Sequence, residues 1–223
     1  ASWLAEAGKK VIIFEREPKA YGASIRNFGL VWPIGQPAGP LYDRAMRGRE
    51  RWLELSKKAG FWCNPNGSLH LAYREDEMAV IEEYAGNFGQ HCEIKTPEQL
   101  ANEHPFVQQK GLLGGLYSET EMTVNPTRAI HAISDWLQQF GNVDQHFGEE
   151  VQKVEHGRIE TSKAAYEAEK VFICGGDEFQ TLYPEVFQES PLIKSKLQMM
   201  RSYPLKMYQK FGPTLCGGLT LQH

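Results

Sequence analysis

The first seventeen residues constrain the chain most. Ala1-Ser2-Trp3-Leu4-Ala5-Glu6-Ala7-Gly8 is a short helical stretch ending in a glycine suited to the C′ position, and Lys9-Lys-Val-Ile-Ile-Phe-Glu-Arg-Glu17 follows at once. Four consecutive apolar residues, mostly β-branched, predict a buried strand of the kind found in a parallel sheet covered on both faces. A strand that follows a helix and ends in an acid has a specific meaning in α/β proteins. In dinucleotide-binding βαβ units that acid, here Glu15, hydrogen-bonds the adenosine ribose. The glycine fingerprint G-x-G-x-x-G belongs roughly 20 residues before the acid. That places it ahead of Ala1, and it occurs nowhere else in the chain. With no initiator Met and no clear cap before Trp3, the expectation is an internal segment of a longer protein. An acid after a strand is also an ordinary solvated loop residue, so Glu15 alone decides nothing.

Composition excludes several classes. Of 223 residues 41% are hydrophobic, enough for a sizeable core and too many for a disordered chain. The net charge of −4 gives no basic excess for nucleic acid or an anionic membrane. No apolar run approaches the roughly 18 residues of a membrane span, and no signal peptide is visible. Cys63, Cys92, Cys174 and Cys216 are widely spaced, as expected of reduced thiols in a cytoplasmic protein. The seven histidines show no metal-ligand spacing, and Ser24 lacks the G-x-S-x-G context of a hydrolase nucleophile.

Periodicity predicts helices over residues 39–60, 75–88, 97–104 and 126–140, and strands over 67–73, 91–95 and 111–118. The 67–73 strand alternates, with Leu69, Leu71 and Tyr73 opposite Ser68, His70 and Ala72. Thr96-Pro97-Glu98-Gln99 spells a capping box with Pro at the first helical position. Ile130, Ile133, Leu137 and Phe140 form the inner stripe of the helix opened by Asn125-Pro126. Short strands at 143–147, 150–156, 158–162 and 165–167 read as a meander with a turn at His156-Gly157. Lys170–Gly176 reads as a second buried strand, with Cys174 an inert buried thiol, and Leu215–His223 as a further strand. On the 39–60 helix, spacing pairs Glu50 with Arg47, and Glu54 with Arg51 or Lys58, on a solvated face.

The most informative stretch is Tyr21-Gly-Ala-Ser-Ile-Arg-Asn-Phe-Gly-Leu-Val-Trp-Pro33. Small residues at 22–24 let backbone N–H groups approach a diphosphate, Ser24 and Arg26 add donors, and Gly29 admits a flat group against the main chain. Any one of these residues suits a plain structured loop, but a loop explains their clustering poorly.

The block G-A-S-x-R-N-x-G after a strand ending Phe-Glu-Arg-Glu resembles the D-amino acid oxidase/glycine oxidase superfamily of FAD-dependent oxidoreductases. Ser118–Arg128, containing Val124-Asn125-Pro126, is similar to the segment leading from the substrate domain into the helix that returns to the FAD domain. Glu150-Val151, the meander and Val171–Gly176 resemble the adenine-contacting strand and the later Ala-x-Gly strand end. The resemblance implies an α/β fold: a Rossmann-like FAD-binding domain, truncated and lacking its first strand, interleaved with a mixed-sheet α+β substrate domain. It implies FAD-domain parts at 1–40 and 120–185 and substrate-domain parts at 41–119 and 186–223. It also implies FAD contacts from Glu15, Arg16, Gly22, Ala23, Ser24, Arg26, Asn27, Gly29, Leu30, Val151, Cys174, Gly175 and Gly176.

Asn27–Pro37 and Lys196–Arg201 are further similar to a bacterial subgroup associated with phosphonate catabolism, which implies a small amine carrying a phosphonate. Trp32, Gln36 and Arg201 are the substrate-cleft candidates, although a surface arginine is the plainer reading of Arg201. Oxidation of an amine by flavin needs no obligatory protein acid or base, so no catalytic residue is assigned. Imine hydrolysis and dioxygen as acceptor complete the implied reaction. Because the glycine motif and the C-terminal part are absent, a segment of this length expressed alone is expected to hold FAD poorly. The alternative is a non-catalytic fragment or interaction module. An NAD(P) enzyme would explain Glu15 but not the 22–29 cluster or the meander.

Overall fold

The computed structural model describes residues 1–88, 91–196, 198–200, 203 and 212–221. The chain divides into two compact units, one of Ala1–Phe28 with Pro126–Tyr203, the other of Gly29–Asn125 with Pro204–His223.

The first unit begins with helix α1 (Ser2–Glu6) and turns at Gly8, whose φ of +71° suits a residue without a side chain. Strand β1 (Val11–Glu15) pairs in parallel with β8 (Val143–Phe147), in register from Val11↔Val143 to Glu15↔Phe147. The Asn142 amide donates to Ala5 O (2.9 Å) and Lys9 O (2.7 Å), fastening the start of β8 to the turn before β1. Helix α5 (Pro126–Leu137) is held to β8 by a reciprocal pair: Ser134 Oγ donates to Gln145 Oε1 (2.8 Å), and Gln145 Nε2 to Ser134 O (2.9 Å). The buried stripe of α5 is Ala129, Trp136 and Leu137, with Ile130, Ile133 and Phe140 only half-buried. Trp136 packs edge-on against Phe140 at 4.9 Å.

A separate antiparallel meander follows, β9 (Val151–Glu155), β10 (Arg158–Thr161) and β11 (Ala165–Glu167), in the order β11-β10-β9. His156 and Gly157 have φ of 47° and 83°, the two left-handed positions of a tight hairpin. A Cβ at Gly157 would lie 2.6 Å from Ala168 O, so this position requires glycine.

Three expectations fail in this unit. Residues 143–147 belong to the parallel pair with β1 and not to the meander. Ile12 on β1 is 44% exposed, so the strand is not covered on both faces. Residues 170–176 form no strand, Phe172 is 70% exposed, and Cys174 is exposed rather than buried. An apolar β-branched run records that a segment suits a sheet; the pairing itself requires a neighbour, and among the described residues none lies beside 170–176. Short helix α6 (Pro184–Gln188) follows, and Tyr183 OH donates to Val154 O (3.0 Å).

The second unit is built on a mixed sheet ordered β12-β4-β6-β5, from β4 (Ser68–Ala72), β5 (Cys92–Lys95), β6 (Gly114–Ser118) and β12 (Thr214–Gly217). Only β12–β4 is parallel. All five residues of β4 are buried, which the alternation at 67–73 does not suggest. One face packs Leu69 and Leu71 with Leu100, Val107 and Leu112, while the other places Ala72 with Ile34, Ile81, Tyr84, Leu116 and Leu221. Gly115 lets β6 lie close to β4, since a Cβ there would come 2.8 Å from His70 O.

A small sheet orders β2 (Leu30–Val31), β7 (Met122–Val124) and β3 (Cys63–Asn64). Helices α2 (Pro40–Ala59), α3 (Glu75–Phe88) and α4 (Pro97–Glu103) complete the unit, and Gly60 ends α2 at a φ of 72°. The capping box of α4 forms with both hydrogen bonds, Gln99 N to Thr96 Oγ1 (3.3 Å) and Thr96 N to Gln99 Oε1 (2.8 Å). On α2, Glu54 takes both Arg51 and Lys58, whereas Glu50 pairs with Arg49 instead of Arg47. The strand expected over 215–223 ends at Gly217, and a single 3-10 turn (Gly218–Leu221) replaces the rest of its described part. Two adjacent glycines favour that turn over continued pairing.

Candidate functional site

In the first unit, the end of β1 meets two loops. Glu15 Oε1 accepts from Glu17 N (3.0 Å), while Glu149 N donates to Glu15 O and Gly148 N to Glu17 O, both at 3.1 Å. Arg16 Nη1 donates to Glu178 Oε2 (2.8 Å) and lies 3.9 Å from Glu150. This contact raises the guanidinium above its ordinary range and lowers the Glu178 carboxyl, which also accepts from Gln180 N and Thr181 N. Both side chains are partly exposed, so the bond contributes more to the course of the loop than to stability.

Residues 22–27 form a closed bend. Ile25 N donates to Gly22 O (3.2 Å), and the Asn27 amide donates to Ala23 O (3.1 Å) and Ser24 O (3.0 Å). The bend approaches the loop after Gly175: Cβ atoms built at Gly22 and Gly176 would lie 3.9 Å from Asp177 Oδ1 and 3.8 Å from Ala23 Cβ. Gly176 has a φ of +62°, and Glu178 N donates to Gly175 O (3.1 Å). Among the described residues, the backbone N–H groups of Gly22, Ala23, Ser24, Gly175 and Gly176 make no hydrogen bond. Unspent N–H groups on neighbouring small residues suit an anionic group such as a diphosphate. Arg26 is exposed, and Val151, half-buried, opens β9 immediately after Glu149-Glu150.

Sequence reasoning missed what holds the 148–150 turn. Glu149, 3% exposed, accepts from Thr161 Oγ1 (2.6 Å) and Tyr166 OH (3.1 Å) and lies 3.0 Å from His146 Nδ1. These partners hold its carboxyl below the ordinary value, Thr161 foremost. His146 Nε2 lies 2.9 Å from Asp144 Oδ2, and its imidazole is raised, first by Asp144 and then by Glu149. Phe14 of β1 packs on both His146 (5.2 Å) and Tyr166 (4.8 Å).

Gly29 and Leu30 lie in the second unit, where Val124 N donates to Gly29 O (2.8 Å) and Leu30 pairs with Thr123. A 3-10 turn (Pro33–Gly35) separates Trp32 from Gln36, and Trp32 lies 5.4 Å from the His70 ring. The turn rests on a buried polar chain. Ile34 N (3.0 Å) and Thr120 Oγ1 (2.7 Å) donate to Oε1 of fully buried Glu121. Ser68 Oγ lies 3.0 Å from Glu121 Oε2 and 3.1 Å from His70 Nε2. His70 Nδ1 lies 2.9 Å from Thr220 Oγ1, which donates to Gly217 O (2.7 Å). Burial lowers the His70 imidazole to about 4. The sequence signal for this chain is the alternation of Ser68 and His70 with Leu69 and Leu71 within one strand. Arg201 lies outside the described residues.

Residues 1–217 match the family described as DAO, FAD dependent oxidoreductase. The chain belongs to this family, whose cofactor is FAD. Among solved structures, glycine oxidase from Bacillus cereus ATCC 14579 is 24% identical, with a TM-score of 0.63 over 75% of this chain and 49% of that one. L-proline dehydrogenase from P. horikoshii is 22% identical, with a TM-score of 0.62 over 74% and 46%. L-alpha-glycerophosphate oxidase from Mycoplasma pneumoniae, a structure with FAD bound, is 20% identical, with a TM-score of 0.60 over 72% and 46%. The chain thus spans about half the length of the structures it matches, and the likeness establishes a shared fold. No curated protein matches the sequence. Among the described residues no three His, Cys, Asp or Glu side chains group to hold a metal ion, and no helix is long and apolar enough to cross a membrane.

Proposed function

We propose that this chain supplies cofactor and substrate contacts of an FAD-dependent oxidase acting on the C–N bond of a small amine or amino acid. The observation that carries the reading is the meeting of the β1 end, the 22–24 bend and the 175–178 loop in one unit, with the backbone N–H groups of Gly22, Ala23, Ser24, Gly175 and Gly176 unspent among the described residues. Glu15 would take the ribose, with Arg16 beside it. Gly22, Ala23, Ser24, Arg26, Asn27 and Cys174–Gly176 would line the diphosphate, and the Val151 backbone would meet the adenine. Gly29 and Leu30 would lie along the flavin ring. The unit containing β1 is then the FAD domain and the other the substrate domain.

FAD, when bound, accepts a hydride from the substrate carbon and so supplies the difficult chemistry. The chain's own residues bind, orient and exclude water. Trp32 and Gln36 would present an apolar face and an amide to the substrate, and the resemblance adds Arg201, which lies outside the described residues. A guanidinium suits a phosphonate, which favours an aminophosphonate substrate. The oxidised product would hydrolyse to a carbonyl compound, with dioxygen as final acceptor, and four free cysteines suit a reduced cytoplasmic setting.

The test is a screen of the intact protein with small amines, amino acids, aminophosphonates and hydroxy acids, following peroxide. Turnover of amines supports the reading, and turnover of hydroxy acids alone refutes it.

A further inference from the structure

Glu149 joins four strands of the first unit at one point. Its backbone N–H donates to Glu15 O (3.1 Å), and Gly148 N donates to Glu17 O (3.1 Å), so the 148–150 turn is stitched to the end of β1 on both sides of Arg16. Its carboxylate reaches the other three strands. Oε1 accepts from Thr161 Oγ1 of β10 (2.6 Å) and Tyr166 OH of β11 (3.1 Å), and Oε2 lies 3.0 Å from His146 Nδ1 of β8. Lys163 Nζ stands 4.0 Å from Oε2. All of these partners can donate, which suits a carboxylate left with 3% exposure.

The His146 ring separates a fixed contact from a loose one. Nδ1 faces Glu149, with Tyr166 OH at 3.4 Å, and Nε2 faces Asp144 Oδ2 at 2.9 Å. The charged ring satisfies both carboxylates, and its ionisation is raised above the ordinary value by Asp144 first and then by Glu149. A neutral ring has one N–H to give. The Asp144 side chain is 70% exposed and can turn to water, whereas Glu149 cannot, so the hydrogen stays on Nδ1.

We propose that Glu149 is a positioning residue for the adenosine half of the cofactor, holding Glu15 and Val151 at one spacing by tying the end of β1 to the meander. That role rests on the function proposed above; the anchoring of His146 does not. Val151 opens β9 two residues after Glu149 and pairs with Thr161, the residue that donates to the carboxylate. Phe14 packs on both His146 (5.2 Å) and Tyr166 (4.8 Å) whatever stands at position 149. Removing the carboxylate therefore spares this aromatic packing and releases the orientation of the turn.

The test combines FAD titration of the flavin-free intact protein with nitrogen NMR of its histidines, the His146 signals being assigned by their loss in His146→Gln. Glu149→Ala should bind FAD about tenfold more weakly, and Thr161→Val, which removes one donor at constant shape, about threefold. Glu149→Gln keeps an acceptor for Thr161 and Tyr166 but turns an amide N–H toward Nδ1. It should hold FAD within about twofold of the wild type, while the neutral His146 ring at high pH switches from Nδ1–H to Nε2–H. Unchanged FAD affinity in Glu149→Ala and Thr161→Val overturns the positioning role, and Thr161→Val decides it alone if the alanine variant does not fold. A glutamine variant as weak as the alanine variant also overturns it. A wild-type neutral ring with its hydrogen on Nε2, or a tautomer unchanged in Glu149→Gln, overturns the anchoring. A wild type that takes up no FAD refutes the reading of the site and this role with it, whereas the tautomer decides the anchoring by itself.

Discussion

Gly35→Ala tests the geometry of the Trp32 turn. A Cβ at Gly35 would lie 2.2 Å from Trp32 Cδ1 and 2.6 Å from Nε1, whereas carbon contacts settle at about 3.5–4.0 Å. The indole must therefore retreat by more than an ångström from Gly35, which disturbs its packing against His70 and the cluster of Ile34, Ile81, Tyr84 and Leu116. Overpacking of this kind costs about 1–3 kcal/mol. Gly35 has no left-handed φ, so alanine meets no backbone strain there and returns about 0.4–1 kcal/mol by restricting the unfolded chain. The net expectation is a loss of about 1–2 kcal/mol. In a Trp32→Ala background the obstructing ring is gone, so the same substitution should be neutral or slightly stabilising. Urea unfolding of the four proteins of this cycle gives the coupling directly. Equal destabilisation in both backgrounds, or none in either, would refute the contact as described.

Three further outcomes follow from named contacts. Thr96→Ala removes one half of the α4 capping box and should lower stability by about 1 kcal/mol in urea unfolding, with Thr96→Ser retaining most of it. His146 is protonated more readily in the folded protein than in the unfolded chain, so its contribution is complete below the ordinary value of 6.5 and fades as pH rises through the folded value. The unfolding midpoint of His146→Gln should accordingly lose this decline above pH 6.5, and an unchanged decline would contradict the assignment. Asp177 sets a carboxylate beside the 22–24 bend, where it would repel a diphosphate. Asp177→Asn should tighten FAD binding about two- to fivefold in a titration of the flavin-free protein.

Local chemistry was the legible part. The stop at Gly60, the capping box at Thr96, the positive-φ pair at 156–157 and the helix opened by Pro126 are each set by a few adjacent residues, and each stands where its residues suggest. What failed depends on residues far away in sequence. Leu69 and His70 both lie buried because layers pack on the two faces of β4, and alternation alone suggests only one. Val171–Ile173 has the composition of a strand, but composition does not supply a pairing partner. In the candidate site, Glu15 stood out as an acid closing an apolar strand, and the 22–29 cluster because close backbone approach needs small residues. The anchors Glu149 and Glu121 did not, since the partners that mark them, Thr161 and Ser68, are 12 and 53 residues away.

The central claim is that the β1 end, the bend at 22–24 and the loop at 175–178 together hold FAD. Flavin content of the purified intact protein, read from its visible absorption, tests it most directly when compared with Ser24→Glu, an exposed substitution that adds negative charge at the bend. The account predicts about one FAD per wild-type chain and severe loss in the variant, with both proteins equally well folded. A colourless wild-type protein that takes up no added FAD, or a variant that retains flavin as tightly as the wild type, would contradict it.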